Sequence, residues 1–461
     1  MLAETNDRVD LVRYLCELPG DRGVNPGADD NYAIRLAAEK GHVDVVRYLC
    51  ELPGDRGVCP GVYYNDAIRL AAENGHVDVV RYLCELPGDR GVDPGADDND
   101  AMRAAAQHGH VDVVRYLCEL PGDRGVHPGA DDNFAIRRAA ANGHVDVVRY
   151  LCELPGDRGV RPAAYDNAAI QWAAVNGHVD VVRYLCELPR DRGVNPGARD
   201  NAAVRCAAQS GHVDVVRYLC ELPGDRGVHP GARDNATVRC AALRGHVNVV
   251  RYLCELPGDR GVHPGADDNF AIRWAAANGH VDMVRYLCEL PGDRGVHPDA
   301  DDNFAIRWAT QRGHVDVVRY LCELPGDRGV HPGADDNYAI RWAAQHNYVD
   351  VVRYLCVVRP PDAHHTVQRA FHASRIYGTP AQYLYYAHIR AVKGTWEHQP
   401  GFSKYHTQFA RMLARQPLLI LNDLVRGRRC GRKQGMCGMD REPNMEADGR
   451  SRRTRRRRRT R

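Results

Sequence analysis

The chain has 461 residues, 44% of them hydrophobic, and its 62 basic and 60 acidic side chains give a net charge of +2. No apolar run reaches the roughly 18 residues that a membrane-spanning helix requires, and the first residues have no apolar stretch typical of a secretion signal. We therefore expect no membrane span and an intracellular protein, in the cytoplasm or the nucleus.

The small net charge conceals an uneven distribution. Residues 426–461 carry fifteen arginines and lysines against four carboxylates, a net charge of +11, which leaves −9 for residues 1–425. An acidic main part with a basic tail predicts that the two parts act separately.

One sequence block, Gly-His-Val-Asp-Val-Val-Arg-Tyr-Leu-Cys-Glu-Leu-Pro, recurs every 34 residues along most of the chain. A degenerate copy lies at Asn347 and a truncated one near Arg8, so that the first unit begins inside its first helix. Self-similarity at one period predicts a stack of units in which each unit contacts its neighbours. The near-identical copies start at Gly41, Gly75, Gly109, Gly143, Gly177, Gly211, Gly245, Gly279 and Gly313.

The first half of each repeat predicts a short helix. In the copy from Tyr32 to Lys40, the spacing of the apolar residues favours a packed face of Ile34, Ala37 and Ala38. Asp30 or Asn31 is expected to cap the helix start. Gly41 is expected to end it in the left-handed conformation.

The second half predicts a second helix over residues 43–52, ended by Pro53-Gly54. Val43, Val46, Leu49 and Cys50 recur at spacings of three and four and are expected to be buried. The residues that follow are rich in glycine and proline and predict an extended finger loop.

Residues 67–83, Ala-Ile-Arg-Leu-Ala-Ala-Glu-Asn-Gly-His-Val-Asp-Val-Val-Arg-Tyr-Leu, resemble the ankyrin repeat. The resemblance covers residues 1–358. It implies an all-α, ankyrin-type α-solenoid of about ten repeats with projecting finger loops. Tyr32-Ala-Ile-Arg replaces the family's Thr-Pro-Leu-His opening, one residue is added at Pro53-Gly54, and the finger reads Gly-Val-x-Pro. With arginine in place of histidine, the opening also resembles ankyrin arrays of large DNA viruses and protists.

Several positions vary between copies: the residue after the helix-start asparagine, the residue before Ala-Ala, the two residues before Gly-His and the finger residue before proline. In ankyrin arrays such positions line the concave groove, so the resemblance implies a protein partner there. Two interpretations stay open, in which the large residues either fill gaps between repeats or form a binding stripe. The candidates are Phe270, Trp274, Phe304, Trp308, Tyr338 and Trp342 in the last repeats, with Trp172 and Arg138 before them and the finger histidines His263, His297 and His331.

The remaining polar patterns predict structural roles. Eleven of the 16 cysteines recur with the period from Cys16 to Cys356 and are expected to be buried, reduced thiols. The Gly-His histidines are expected to stabilise loops, the arginine series at Arg35 to bond to adjacent loops, and pairs such as Asp301-Asp302 to be helix caps or solvated charges. Finger histidines one repeat apart cannot converge on one metal ion. Since no nucleotide-binding or catalytic motif occurs, we expect no enzyme, no cofactor and no metal.

After the repeats, residues 359–425 have helical composition and are expected to cap the last repeat. Residues 426–461 are poor in apolar side chains and predict a disordered tail. Nuclear targeting, non-specific contact with nucleic-acid phosphates and an inert solvated tail all fit its basic clusters. These comprise Arg426, Arg428, Arg429, Arg432, Lys433, Arg452, Arg453, Arg455, Arg456, Arg457, Arg458, Arg459 and Arg461.

The leading hypothesis for the whole chain is a monomeric, non-enzymatic scaffold that binds another protein on the concave ankyrin surface. The alternative is a nucleic-acid-associated or nuclear protein anchored through the arginine-rich tail. A third possibility is a recently duplicated array without a selected partner.

Overall fold

The computed structural model describes residues 2–358, apart from a short segment in each finger loop. The side chains of residues 2–8, 62–64, 334–336 and 356–358 are likewise not described. The expected capping helices of residues 359–425, the tail of residues 426–461 and the centres of the fingers therefore lie outside the described residues. The finger segments left out are 19–23, 54–57, 88–91, 122–125, 156–159, 190–191 with 193, 224–227, 258–261, 292–295 and 326–329.

The described residues form 21 α-helices and no strand. After α1 (Leu2–Glu17), each repeat contributes a first and a second helix. The first helices are α2 (Ala28–Glu39), α4 (Val62–Glu73), α6 (Ala96–His108), α8 (Ala130–Ala141), α10 (Ala164–Val175), α12 (Ala198–Ser210), α14 (Ala232–Arg244), α16 (Ala266–Ala277), α18 (Ala300–Gln311) and α20 (Ala334–Gln345). The second helices are α3 (Val43–Glu51), α5 (Val77–Glu85), α7 (Val111–Glu119), α9 (Val145–Glu153), α11 (Val179–Glu187), α13 (Val213–Glu221), α15 (Val247–Glu255), α17 (Val281–Glu289), α19 (Val315–Glu323) and α21 (Val349–Val358).

The helices pack in the order of the sequence. Each first helix contacts the first helices of the neighbouring repeats, and each second helix contacts its own first helix and the adjacent second helices. Ile34, Ala37 and Ala38 are buried in α2, as predicted. The small alanines allow adjacent helices to approach closely, so one apolar core is shared between successive repeats.

The entry to each first helix departs from ordinary helix geometry. Asp29, Asp30 and Asn31 have φ angles of 50°, 56° and 61°, three successive left-handed residues, and the right-handed helix starts at Tyr32. The same three-residue segment recurs from α6 to α18. Aspartate and asparagine tolerate this conformation better than other residues with a Cβ atom, which accounts for their use at these positions.

The predicted role of Asn31 as a local helix cap is wrong. The asparagine side chain crosses to the next repeat, where its Oδ1 accepts a hydrogen bond from the backbone N–H of Cys59 at 2.8 Å. Equivalent bonds of 2.5–2.8 Å occur at eight further asparagines, from Asn65 to Asn303. The left-handed segment directs the side chain away from its own helix. The side-chain oxygen can therefore accept a hydrogen bond from a backbone N–H 28 residues later in the chain.

The turn between the two helices requires glycine for two reasons. Gly177 has a φ of 79°, and a Cβ atom built there would lie 2.5 Å from Nδ1 of His212 in the next repeat. His212 in turn donates from Nε2 to the carbonyl of Val175 at 2.9 Å. The turn of one repeat and the histidine of the next therefore interlock, and the same contact recurs from Gly41 to Gly279.

The second helices bury a slightly different face from the one predicted. In α3 the buried residues are Val45, Val46, Leu49 and Cys50, whereas Val43 is half-buried because it is the first residue of the helix, beside the turn. The cysteines described by the structure are reduced thiols, as expected. Burial raises the pKa of the Cys152 thiol to about 12, which keeps it protonated and unreactive.

The first repeat is one continuous helix rather than the end of a helix pair. Asp7 occupies the position of Gly41 in α1, which runs from Leu2 to Glu17 without the left-handed turn. Without glycine at this position the chain continues as a helix. That the first repeat is incomplete at its start stays a prediction.

Replacing Gly177 with alanine is expected to lower the free energy of unfolding by at least about 1–2 kcal/mol, the cost of a left-handed residue with a Cβ atom. The contact with His212 adds to that cost. Urea unfolding followed by circular dichroism measures the change. Gly197→Ala is the control, because Ala163 occupies the equivalent helix-entry position in another repeat. Equal stability of the two variants would show that the turn does not require glycine.

Replacing Asn269 with alanine is expected to cost about 1–3 kcal/mol, because the N–H of His297 loses its acceptor. Asp268→Ala is the matched control, since Asp268 is equally left-handed but its side chain is exposed. Both variants place alanine in the same conformation, so the difference in their unfolding free energies isolates the hydrogen bond. Equal losses would show that backbone strain alone is responsible.

Candidate protein-binding face

Two of the variable positions of each repeat lie side by side on the first helices. We call these side chains, the residue after the helix-start asparagine and the residue four further on, the first-helix face. Its character changes along the chain. In α4 and α6 it carries Asp66 and Asp100, which join Arg35, Arg69 and Arg103 in a run of ion pairs. Surface ion pairs of this kind contribute little stability each.

In α16 and α18 the same face is aromatic. The ring centroids of Phe270 and Trp274 are 5.7 Å apart, and those of Phe304 and Trp308 are 5.1 Å apart. Trp274 contacts both rings of the next repeat, Phe304 at 6.0 Å and Trp308 at 6.1 Å. All four side chains are half-buried. The rings thus pack across a repeat boundary and still expose surface, so both interpretations of the stripe have a structural counterpart.

A second aromatic group follows in α20. Tyr338 and Trp342 stack at 5.7 Å, and Trp342 stacks on His346 at 4.2 Å. Within the described part of the chain, the ring–ring contacts of phenylalanine and tryptophan fall into these two groups. Arg307 connects the groups by lying 5.1 Å from the centre of the Tyr338 ring. The six predicted aromatic residues therefore share one face in two clusters.

The arginine series at Arg35 orders this face. Arg273 donates to the carbonyl of Asp267 in its own repeat at 3.1 Å and pairs with Asp301 of the next at 2.6 Å. Its guanidinium also lies 5.0 Å from the centre of the Phe304 ring. The prediction that this series bonds to adjacent loops is confirmed. Asp301 is bound by arginine rather than capping its helix, and Asp302 is exposed.

Arg138 and Trp172 come together in α8 and α10. The Arg138 guanidinium lies 5.0 Å from the centre of the Phe134 ring and 5.3 Å from that of Trp172. The finger histidines His263, His297 and His331 are exposed, and their backbone N–H groups donate to asparagines of the preceding repeat. They are therefore held apart from the aromatic clusters by their positions in the finger.

The Gly-His histidines stabilise the boundary between repeats. Nε2 of His144 lies 2.9 Å from the carbonyl oxygen of Gln107, so this nitrogen carries the proton. Burial lowers the pKa of His144 below its usual value, an effect that the backbone hydrogen bond partly offsets. Burial lowers the pKa of His314 in the same way.

A ladder of arginines and tyrosines on the second helices was not predicted from the sequence. Each arginine of the Arg-Tyr pair lies over the tyrosine ring of the next repeat, at 5.0–5.7 Å from Arg13 and Tyr48 to Arg319 and Tyr354. Most of these tyrosine hydroxyls donate to the backbone carbonyl of the arginine in the preceding repeat, at 3.2–3.5 Å. Burial raises the pKa of Tyr184 to about 12, so the phenol stays protonated. The sequence signal for this ladder is the Arg-Tyr dipeptide in each repeat, which places each arginine 35 residues before the tyrosine that it contacts.

The described residues lack two features that would point to other functions. No helix among them is both long and apolar enough to cross a bilayer. In the same part of the chain, no three His, Cys, Asp or Glu side chains are grouped so that they could hold a metal ion. The basic clusters of the tail lie outside the described residues.

Comparison with known proteins identifies the repeat. The family model for ankyrin repeats matches residues 55–132, 136–234, 207–302 and 274–368, more than half of the chain. The chain belongs to the ankyrin-repeat family. Ankyrin repeats generally mediate protein–protein interactions, and the family is a non-enzymatic interaction module.

Among solved structures, the ankyrin array is similar to an ankyrin repeat family protein from Legionella pneumophila determined by X-ray crystallography. The two are 23% identical, the match covers 55% of this chain and 79% of that one, and the TM-score is 0.25. A comparison with curated proteins finds no match. The family assignment therefore rests on the repeat itself.

The lowered pKa values of His144 and His314 predict a loss of stability on acidification. Because the pKa values of His144 and His314 are lower in the folded than in the unfolded chain, the unfolded chain binds more protons as the pH falls through about 6.5. The free energy of unfolding, from urea titrations, should therefore fall between about pH 7.5 and 6. His144→Gln/His314→Gln should flatten this slope, whereas His127→Gln, in an exposed finger, should not. An unchanged slope in the double variant would refute the assignment.

Proposed function

We propose that the ankyrin array is a protein-binding scaffold and that its partner contacts the first-helix face, which lines the concave groove in arrays of this family. The single observation that carries the proposal is the cluster of Phe270, Trp274, Phe304 and Trp308, whose rings align across two repeats and remain half-exposed. Tryptophan and other large aromatic residues are enriched where interfaces gain most of their binding energy.

Packing alone does not account for these rings. The position of Trp274 and Trp308 is occupied by Cys206 and Cys240 in α12 and α14. Those helices bury an alanine pair after this position, as α16 does, and contact the neighbouring first helices in the same way. The array thus forms with a small residue at this position, which favours a role for the larger rings beyond filling a gap.

The cluster is also ordered before any partner arrives. Arg239 lies 5.0 Å from the centre of the Phe270 ring, and Arg273 lies 5.0 Å from that of Phe304. Each arginine is fixed by a carboxylate of the following repeat, Asp267 or Asp301. A preformed aromatic surface loses little conformational entropy on binding, which raises affinity for a given contact area.

No described residue supports the nucleic-acid alternative, because the arginine-rich tail on which it depends lies outside the described residues. That alternative, the monomeric state and the location in the cytoplasm or nucleus stay predictions. The absence of a catalytic activity is likewise a proposal that follows from the family.

The test is the double variant Trp274→Ala/Trp308→Ala in the full chain, compared with the wild type by quantitative affinity-capture mass spectrometry. A partner that uses the first-helix face should lose affinity by about 30-fold or more, the effect of removing an interface hot spot. The matched control is Tyr218→Ala/Tyr252→Ala, which removes two rings one repeat apart on the second helices.

Thermal unfolding of both variants completes the design. Specific loss of a partner in the tryptophan variant, with a folded array, supports the proposal. Retention of every partner together with a large loss of stability would show that the rings only fill the space between repeats.

A further inference from the structure

Arg138 of the first-helix face and its neighbour Arg137, a member of the Arg35 series, have an unusual environment. Arg137 and Arg138 are adjacent in α8 and lie among three aromatic rings. Arg138 lies between Phe134 and Trp172, at 5.0 Å and 5.3 Å from the ring centres. Arg137 lies 5.1 Å from the centre of the Tyr165 ring.

Arg137 lacks the carboxylate partner that several of its equivalents have. Arg103 pairs with Asp131 at 3.6 Å and Arg273 with Asp301 at 2.6 Å, in each case 28 residues along the chain. For Arg137 that position is Tyr165, so a contact with an aromatic ring replaces the ion pair. The remaining hydrogen bond of Arg137 goes to the backbone carbonyl of Asp131 at 3.0 Å.

The side chain of Arg138 has no hydrogen bond or ion pair within the described part of the chain. The Nε atoms of both arginines are buried without an acceptor there, as are those of the ion-paired Arg103 and Arg273, so the difference lies in the missing carboxylate. The nearby carboxylate of Asp166 is engaged by Arg199 at 3.6 Å. Two adjacent cations are therefore partly withdrawn from water and lack a counter-charge from the described residues.

Tyr165, whose ring contacts Arg137, is the most exposed aromatic residue of this group. It is 63% exposed and has a φ of 53°, a conformation that an aromatic residue adopts only at a cost in energy. Most repeats have aspartate or arginine at this position, and α4 has a second tyrosine, Tyr63. The left-handed conformation recurs from α6 to α18, so Tyr165 is distinguished by its exposed ring, which lies beside two cations that have no carboxylate partner among the described residues.

The excess of positive charge continues along the face. Arg205 in α12 hydrogen-bonds to the carbonyls of Arg199 and Asp200 without pairing to a carboxylate of the described residues, because Arg233 occupies the position of the expected aspartate. The side chains between these cations and the aromatic cluster of α16 are small, Ala202 and Cys206 among them. An extended ligand that carries more than one negative charge therefore finds further cations on the same face.

We propose that Arg137 and Arg138, framed by Phe134, Tyr165 and Trp172, bind the carboxylates of an acidic segment of a protein partner. A guanidinium that lies over an aromatic ring keeps the N–H groups at its edge free. These can donate two parallel hydrogen bonds to a carboxylate. The inference rests on the proposed protein-binding function of the first-helix face and adds the chemistry of the ligand.

The experiment measures binding of a fluorescein-labelled peptide of alternating glutamate and tyrosine to the full chain by fluorescence anisotropy. Arg137→Gln/Arg138→Gln is compared with Arg47→Gln/Arg81→Gln, which removes the same charge from exposed arginines of the second helices. The basic tail also attracts an acidic peptide, but it contributes equally in both variants. A peptide with glutamine in place of glutamate tests the need for carboxylates.

The proposal predicts that Arg137→Gln/Arg138→Gln weakens binding about tenfold or more, because hydrogen bonds to charged groups are the strong ones. The control variant should differ from the wild type only slightly, and a photo-crosslinker in the peptide should label α8 or α10. Arg138→Met preserves the apolar stem and is the second variant if the double variant unfolds.

Equal affinity of the two double variants, or crosslinks confined to residues 426–461, would overturn the proposal. The outcome is independent of the tryptophan experiment, which measures a natural partner through Trp274 and Trp308. If the peptide binds through Arg137 and Arg138 but the tryptophan variant loses no partner, the proposed anion site is supported and the proposed role of the aromatic cluster is contradicted.

Discussion

The structure depends on hydrogen bonds that join each repeat to the next. The asparagine at the entry of a first helix does not cap that helix, and its Oδ1 instead holds the backbone N–H of a residue 28 positions later. Three left-handed residues, unfavourable in isolation, set this direction. At the other end of the first helix, the histidine of one repeat packs against the turn glycine of the preceding repeat, which is a second contact between neighbours. A repeat is therefore complete only when its neighbour is in place.

The residues that hold neighbouring repeats together differ from those of the first-helix face. The alanines, the asparagine, the glycine and the histidine of each repeat are used at the boundaries, and their identity hardly varies along the chain. The first-helix face lies outside that set and carries carboxylates in α4 and α6, an unpaired arginine in α8 and aromatic clusters in α16 and α18. One scaffold thus presents a sequence of chemically distinct surfaces, which suits an elongated contact with a protein partner.

The resemblance of residues 67–83 to the ankyrin motif predicted the family. The periodicity predicted the helix pair and most of the core, because these depend on apolar spacing within a single repeat. The errors concern contacts between repeats. Asn31 was expected to act as a local cap, but its acceptor role involves Cys59. Val45 replaces Val43 in the core, and Asp7 extends α1 because a turn glycine is missing. The arginine–tyrosine ladder joins residues 35 positions apart, a distance at which local propensities carry no information. The capping region and the tail lie outside the described residues, so those expectations stay predictions.

Hydrogen exchange of the finger amides tests the central claim most directly. If the asparagine side chains join the repeats, the backbone N–H groups of His127, His229 and His297 should exchange as slowly as amides inside the first helices, because each is bonded to a buried acceptor. Exchange of these amides at the rate of an exposed loop, while the helices stay protected, would show that the repeats stack without those bonds and would contradict the account.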